Sequence, residues 1–167
     1  GGSFFDATST VTPINVLSRK AGTPIRVSTF PYGIAITSDG KTAFVTNNKS
    51  DTVTPIDVAT RKAGTPIRVG GRPIGVAITP DGKTAFVTNG YDNTVTPINV
   101  ATRKARALIR VGSVPWGVAI TPDGKTVFVT NQGDNNVTPI DVASRKAGTP
   151  IPVGKMPIGI AITPAPR

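Results

Sequence analysis

Short apolar runs separated by polar turns follow one another along the chain, and none has the spacing of an amphipathic helix. In the stretch 73–114 this pattern predicts four strands: Ile74–Thr79, Ala85–Asn89, Thr94–Val100 and Leu108–Val111. The second strand is apolar on both faces, which is typical of a strand covered on both sides. The polar stretch Ala101–Lys104 predicts a connection between the third and fourth strands.

Residues with special backbone properties mark the ends and the irregular points of these strands. The run Thr79–Gly82 predicts a turn in which Gly82 takes the left-handed conformation and the Asp81 side chain hydrogen-bonds to the local backbone. Gly75, inside the first strand, predicts the close approach of another backbone. Pro97 has no N–H to donate, so we expect its nitrogen to point away from the ladder or to lie at a bulge.

The same pattern recurs every 42 residues. Prolines, aspartates and phenylalanines carry the period at equivalent places: Pro31, Pro73, Pro115 and Pro157; Asp39, Asp81 and Asp123; Phe44, Phe86 and Phe128. Among repeat architectures, four strands in a unit of this length indicate a β-propeller, in which each unit is one blade. Residues 1–167 are therefore predicted to form a single domain, with units that begin near residues 31, 73, 115 and 157.

Each end of the chain contributes part of a blade. The C-terminus supplies only a first strand, Pro157–Thr163. The N-terminus supplies a second strand around Ser3–Ala7, a third at Thr10–Val16 and a fourth at Pro24–Val27. We therefore predict an all-β propeller of four-stranded blades, with four blades per chain. The last blade is completed by residues 1–30 of the same chain or of a partner, which leaves no sheet edge open.

Motifs in the second and third strands resemble those of the YVTN β-propeller repeat family. They are AFVTN at 43–47 and 85–89, VFVTN at 127–131, and the neighbouring PDGKT and TVTPIDVAT runs. Phe replaces the leading Tyr of the family motif, which keeps an aromatic contact in the core. The resemblance covers all four units and implies an extracytoplasmic or cell-surface protein, while a cytoplasmic location stays open. It implies little about activity, because propellers host many functions.

The ring can close in three ways. A four-blade monomer must turn by a quarter of a circle per blade, whereas two chains that share an eight-blade ring need half that angle; the chain is alternatively a fragment of a longer array. The predicted inter-blade residues are mostly Ala, Val, Ile and Thr, with one recurrent Phe per unit. Small residues favour closely stacked blades and hence the smaller angle. We therefore favour a homodimeric eight-blade ring.

The composition excludes much of the chemistry of catalysis. The 167 residues include no Cys, His or Glu, and all nine acidic residues are Asp. No thiolate nucleophile, Ser-His-Asp triad or Cys or His metal site can be built from such a chain. An enzyme that resembles the propeller lactonases or lyases is an alternative. Such enzymes generally use His or Glu, which this chain lacks. We predict a non-catalytic interaction or structural module without a cofactor or metal, and no apolar run is long enough for a membrane helix.

The connections between units and the loops between second and third strands are expected to share one face, where the copies differ most. Variable loops on a rigid scaffold often form a binding surface. The candidate ligand-binding residues there are Phe30, Tyr32, Arg72, Tyr91, Trp116 and Met156. A four-blade monomer that binds a glycan or a small ligand on this face is the second hypothesis, and a protein partner is a further one. The alternative interpretation is that these side chains close the channel mouth or pack the loops.

Basic residues are expected to ring the opposite face, and they dominate the net charge of +10. The predicted basic ring consists of the Arg-Lys pairs of the four units: Arg19, Lys20, Arg61, Lys62, Arg103, Lys104, Arg145 and Lys146. Its field would attract polyanions. Nucleic acid is nevertheless not expected, because the aromatic residues lie on the other face and the chain has no recognition helix. A solubilising loop set is the alternative interpretation.

Asp and Asn at other equivalent positions are expected to serve the backbone. One position at the end of the third strand alternates between the two types: Asn15, Asp57, Asn99 and Asp141. Either side chain can cap a backbone N–H, whereas catalysis would need the charge in every copy. Asp92 and Asp134 carry loop oxygens of the kind that bind a cation, but their spacing matches no calcium loop.

Overall fold

A computed structural model describes residues 9–163 of the chain. Within this range every regular element is a β-strand, and no helix is long and apolar enough to span a membrane. The all-β prediction is therefore confirmed. The second strand predicted at Ser3–Ala7 lies outside the described residues.

Each complete unit forms one antiparallel sheet of five strands, which we call a blade. Blade 1 contains β5 (Pro31–Ile36), β6 (Thr42–Asn47), β7 (Thr52–Asp57), β8 (Lys62–Ala63) and β9 (Ile67–Arg68). Blade 2 contains β10 (Pro73–Ile78), β11 (Thr84–Asn89), β12 (Thr94–Asn99), β13 (Lys104–Ala105) and β14 (Ile109–Arg110). Blade 3 contains β15 (Pro115–Ile120), β16 (Thr126–Asn131), β17 (Asn136–Asp141), β18 (Lys146–Ala147) and β19 (Ile151–Pro152).

A half-blade precedes blade 1 and consists of two strand pairs. Strand β1 (Thr10–Val11) pairs with β4 (Ile25–Arg26), and β2 (Ile14–Asn15) pairs with β3 (Lys20–Ala21). These short strands correspond to the third and fourth strands that the sequence predicts in this region. Four short strands in two pairs thus accompany the three complete blades in the described part of the chain.

In the unit 73–114, the first three predicted strands are found within a residue of their predicted ends, but the fourth differs. A short strand, β13, begins at the last residue of the stretch predicted as a connection, and both β13 and β14 pair with β12. The register moves by one residue between them, because Ile98 faces Ala105 whereas Val95 faces Ile109. The fourth strand is therefore split in two.

Pro97 explains the position of this split. Its carbonyl accepts the N–H of Arg106 at 2.8 Å, on the side of the fourth strand. Because the nitrogen and carbonyl of one residue face the same neighbour in an antiparallel ladder, the missing N–H of Pro97 also faces the gap between β13 and β14. The predicted bulge is confirmed, although it lies in the strand opposite the proline.

The turns and caps follow the sequence prediction. The glycine of each Asp-Gly turn is left-handed, with φ of 70° at Gly82. The Asp81 carboxylate accepts the Thr79 hydroxyl at 2.6 Å and the Lys83 N–H at 3.0 Å. At the end of the third strand, Asn99 accepts the N–H of Thr102 at 2.8 Å. The same contact recurs at Asn15, Asp57 and Asp141, which confirms the predicted backbone role.

A glycine and a threonine join each blade to the next. The Gly75 N–H donates to the Thr88 hydroxyl at 2.8 Å, and that hydroxyl donates to the Trp116 carbonyl of blade 3 at 2.8 Å. A Cβ on Gly75 would lie 2.6 Å from the Trp116 carbonyl oxygen, so only glycine permits this approach. The predicted close approach is confirmed. Equivalent sets are Gly33, Thr46 and Ile74, and Gly117, Thr130 and Ile158.

Apolar side chains form a layer between consecutive blades. Phe44, Val53 and Ile67 of blade 1 belong to one buried cluster with Ala85, Val87 and Ile98 of blade 2. The residues 42 positions further on form the next layer, between blades 2 and 3. Phe44 and Phe86 are fully buried. The core is thus built of small aliphatic residues around one phenylalanine per joint, as the sequence predicts.

The C-terminal segment occupies the place of a first strand without being one. The Thr130 hydroxyl donates to the Ile158 carbonyl at 3.1 Å, the contact that elsewhere holds the first strand of the next blade. Residues 157–163 nevertheless have no strand assignment, so the prediction of a strand at Pro157–Thr163 was wrong. A strand needs a ladder partner, and the partner predicted for it lies outside the described residues.

Candidate interaction surfaces

The two ends of the row of blades expose apolar residues. The equivalent residues of the other units are buried between blades. At the blade 3 end, Ile151 is 46% exposed, whereas its equivalents Ile67 and Ile109 are 8% and 7% exposed. At the half-blade end, Ile14 is 68% exposed, whereas Ile98 is fully buried. We call Phe128, Ile151 and Val153 the leading face, and Ile14 and Val16 the trailing face.

A cavity of about 170 Å³ lies between the half-blade and blade 1. Its apolar lining includes Val11, Ile25, Ile34, Ile36, Ala43 and Ile56. The residues 42 positions further on surround Phe44 in the next joint. Among the described residues, no aromatic side chain belongs to the buried cluster beside the cavity. Within residues 9–163, aliphatic side chains therefore line this cavity.

The variable face contains a cleft of about 380 Å³ that spans all three blades, which we call the aromatic cleft. Tyr32 and Trp116 meet edge to face, with ring centroids 5.8 Å apart and planes at 81°. The Arg72 guanidinium lies over the Tyr91 ring, 5.6 Å from its centroid. The full lining is Tyr32, Asn48, Arg72, Ile74, Gly90, Tyr91, Val114 and Trp116.

Four of the six candidate ligand-binding residues meet in this cleft: Tyr32, Arg72, Tyr91 and Trp116. Phe30 and Met156 do not line it. The Lys49 ammonium lies 5.2 Å from the Phe30 ring centroid, and Met156 is 64% exposed. Sequence reasoning did not select Asn48, Ile74 and Val114, although these residues occupy the same variable positions, which is the signal that identifies them.

A strained position directly before each repeated proline helps to fix the backbone of this face. Arg72 has φ of 51° and Val114 has φ of 52°, values that bulky and β-branched residues adopt only when their surroundings hold them. The holding group is a loop side chain of the preceding unit: Asp51 accepts the Arg72 N–H at 2.8 Å, and Asn93 accepts the Val114 N–H at 2.9 Å. The same arrangement recurs at Phe30 with Ser9 and at Met156 with Asn135. Backbone geometry is constant there while the side chain varies.

The loop aspartates of this face serve the backbone. Asp92 accepts the Gly71 N–H at 2.6 Å, and Asp134 accepts the Ser113 N–H at 2.7 Å. Hydrogen bonds from the Ser113 backbone and hydroxyl lower the pKa of Asp134. Residues 9–163 contain no group of three or more acidic side chains that could hold a metal ion.

The opposite face gathers the Asp-Gly-Lys turns beside the Arg-Lys loops. The Val100 N–H, which follows β12, donates to the Lys83 carbonyl at 3.0 Å and so fixes the turn beside the loop. All eight residues of the predicted basic ring are exposed. Arg61 and Arg103 also extend over Gly22 and Gly64 of the preceding unit, where a Cβ would lie 3.0 and 2.9 Å from their guanidinium nitrogens. These arginines therefore pack along the row of blades as well as contributing charge.

Solved structures with similar folds include much longer chains. Hydrazine synthase of Kuenenia stuttgartiensis matches with a TM-score of 0.75 and 29% identity, over 78% of this chain and 38% of that one. A functionally unknown protein of Desulfotomaculum acetoxidans matches with a TM-score of 0.77 and 17% identity, over 86% of this chain and 49% of that one. The WD40 repeats of RRP9 match with a TM-score of 0.69 and 13% identity, over 77% and 40%.

The similarity to WD40 repeats agrees with the sheet order and with the contacts between blades that recur every 42 residues. The chain has a β-propeller fold. The propeller spans less than half the length of each of these structures. No protein-family model and no curated protein matches it.

Proposed function

We propose that this propeller is a non-catalytic interaction module of the YVTN-repeat type whose ring is completed by a second copy of the chain, giving a homodimer of eight blades. The observation that carries the proposal is the match between the leading and trailing faces. Phe128 and Ile151 stand where Phe44 and Ile67 stand in blade 1, and Ile14 stands where Ile98 stands in blade 2. Phe44, Ile67 and Ile98 pack together in one buried cluster.

The leading face of one copy therefore fits the trailing face of another. The shared blade would take its first strand from residues 157–163 of one copy and its third and fourth strands from the half-blade of the other. Burial of each large apolar side chain at such a joint contributes about 1.5–3 kcal/mol. Two copies joined head to tail in this way close a ring with two identical joints.

The length of the similar solved structures supports a ring with more blades than one chain encodes. The described blades superimpose, with TM-scores of 0.69 to 0.77, on chains of which they cover less than half. A four-blade ring would require a tighter turn per blade, whereas the joints between blades 1 and 2 and between blades 2 and 3 already have packed cores. Closure by a second copy would supply the further blades.

An interaction role agrees with the composition of the chain. With no Cys, His or Glu, the chain lacks the side chains that most hydrolases and metalloenzymes use. The YVTN-like motifs at 43–47, 85–89 and 127–131 support an extracytoplasmic or cell-surface location. A ring of rigid blades would there present variable loops to other molecules.

Mass measurement by light scattering tests the proposed ring. We expect twice the chain mass of 17.2 kDa for the unmodified propeller. Ile14→Asp and Phe128→Asp should each give monomers, because each places a charge in an apolar joint. Leu108→Asp is the matched control, since Leu108 is 50% exposed but lies on neither end face. A monomeric unmodified chain, or a dimer that survives both substitutions, would overturn the proposal.

A double substitution adds a gain-of-association test. In the variant that combines Phe128→Asp with Ile14→Lys, opposite charges meet at each joint, so dimers should be partly restored at low salt and lost at high salt. Restoration identifies the two faces as partners, whereas a monomer at every ionic strength contradicts this pairing.

A further inference from the structure

We propose that the aromatic cleft binds an acidic oligosaccharide, with a sugar ring against Tyr32 and Trp116 and a uronate carboxylate on Arg72. The cleft is formed by blades 1–3 of one chain. The proposal therefore does not depend on the ring being closed by a second copy.

The shape of the cleft suits a small, flat, partly apolar ring. Tyr32 and Trp116 stand nearly at right angles, so their faces form two walls of a corner. Ile74, which is only 7% exposed, belongs to the same lining. Ligand sites typically combine such apolar walls with a few polar groups that fix orientation. The Tyr32 hydroxyl and the Asn48 side-chain oxygen supply those polar groups here, while the Asn48 amide nitrogen donates to the Pro73 carbonyl at 3.2 Å.

The charge of the cleft specifies the acidic group. Arg72 is the one charged residue of its lining. Its guanidinium makes no ion pair with any residue between 9 and 163. A guanidinium presents a rigid fork of donors that matches a carboxylate. A neutral sugar would leave this charge unused, so the cleft favours a uronate over a neutral hexose.

Arg72 is also held in place before any ligand binds. Its backbone is fixed in the left-handed conformation by the hydrogen bond to Asp51, and its guanidinium lies over Tyr91. A group that is already ordered loses less conformational freedom on binding. The strained backbone position therefore helps to hold the Arg72 side chain in place.

The groove continues beyond Arg72, which favours an oligosaccharide over a single sugar acid. A second depression of about 490 Å³ shares Asn48, Arg72 and Tyr91 with the aromatic cleft and adds Lys49 and Asp51. Arg72 therefore lies between two adjoining compartments. A chain of two or three uronates would place one residue in the aromatic corner and extend the next into this depression.

The single tryptophan of the chain, Trp116, provides the signal for a binding experiment. Its fluorescence is followed while trigalacturonate is added, with galactotriose as the neutral counterpart and a short single-stranded DNA as an unrelated polyanion. We expect a saturable change with trigalacturonate, at least tenfold weaker binding of galactotriose, and no comparable change with DNA.

Substitutions then assign the carboxylate contact. Arg72→Gln should weaken trigalacturonate binding about tenfold and leave galactotriose binding unchanged, while Arg72→Lys, which keeps the charge but not the fork, should lie between. Arg68→Gln is the matched control, because Arg68 is an exposed arginine on the outer strand β9. Circular dichroism checks that each variant is folded.

Four results would overturn the proposal: no fluorescence change, equal binding of galactotriose, tighter binding of DNA, or equal effects of Arg72→Gln and Arg68→Gln. Repeating the titration on Ile14→Asp separates this proposal from the proposed ring. Binding retained by a monomer supports the cleft whatever the fate of the dimer, and binding lost only in the monomer contradicts a site formed within one chain.

Discussion

At the scale of single residues, the joints between blades depend on contacts that leave no room for an added atom. The hydroxyl of Thr88 links the Gly75 N–H of its own blade to the Trp116 carbonyl of the next. Gly75 itself lies against that carbonyl. The Thr88 hydroxyl and the missing side chain at Gly75 thus position the first strands of blades 2 and 3. They also position Trp116, which lines the aromatic cleft.

Gly75→Ala is expected to destabilise the fold by roughly 2–4 kcal/mol, within the range of strongly disruptive core substitutions. The added methyl group would lie 2.6 Å from a backbone oxygen that cannot move without shifting β15. Urea unfolding measures the change. Gly154→Ala is the control, because a Cβ there meets no atom within 4 Å, and it should change stability little. Equal, small effects at both positions would contradict the close approach.

At the scale of strands and blades, the period of 42 residues was enough to predict the complete blades. It located the turn at Gly82, the close approach at Gly75 and the irregularity caused by Pro97. It did not predict that the fourth strand divides, because the split depends on which neighbour the missing Pro97 N–H faces. That direction is set by pairing across the sheet, which the local pattern does not contain.

The aromatic cleft was predictable only in part for a similar reason. Variation among the copies pointed to the positions of Tyr32, Arg72, Tyr91 and Trp116. The contact between Tyr32 and Trp116 joins residues two units apart, so it depends on how far each blade turns from the last. Phe30 and Met156 share the strained backbone position of Arg72 but do not line the cleft.

The cavity between the half-blade and blade 1 yields a prediction about packing. Ala43→Leu should stabilise the propeller by about 1 kcal/mol, because the added methylene groups fill a space lined by Ile34, Ile36 and Ile56. Ala85→Leu is the matched comparison, since Ala85 is the equivalent residue of a joint that Phe44 already fills. It should destabilise by about 1–3 kcal/mol through overpacking. Thermal and urea unfolding measure both, and equal losses would show that the first cavity is already occupied.

At the scale of the whole molecule, the acidic side chains are uniform in type, and most of those between residues 9 and 163 accept local hydrogen bonds. All nine are Asp, and hydrogen bonds lower the pKa of several of them. At Asp39, Asp81 and Asp123 the largest cause of the lowered pKa is the hydroxyl of the preceding threonine, followed by a lysine N–H. At Asp57 the N–H of Thr60 is the largest cause, and at Asp141 it is the Ser144 hydroxyl.

The free energy of unfolding should therefore change little with pH over a wide range above the pKa values of these carboxyl groups. Because the folded pKa values are lowered, these carboxylates stabilise the fold above the unfolded pKa of 3.8, and this contribution is lost as pH falls through the folded values. No side chain titrates between about pH 5.5 and 8, since the chain has no His, Glu or Cys. Urea midpoints at a fixed protein concentration should be constant across that interval and fall below about pH 4. A loss of stability between pH 6 and 7 would contradict the assignment.

The glycine and threonine contacts of the joints also bear on how such a protein changes in length. The contacts at Thr46, Thr88 and Thr130 recur at the same spacing, so a segment of 42 residues can be inserted or deleted there without creating a new kind of interface. Duplication of a gene segment would then lengthen the row of blades in whole steps. What selects among the products is geometric closure, since only certain totals of blades bring a leading face back to a trailing one.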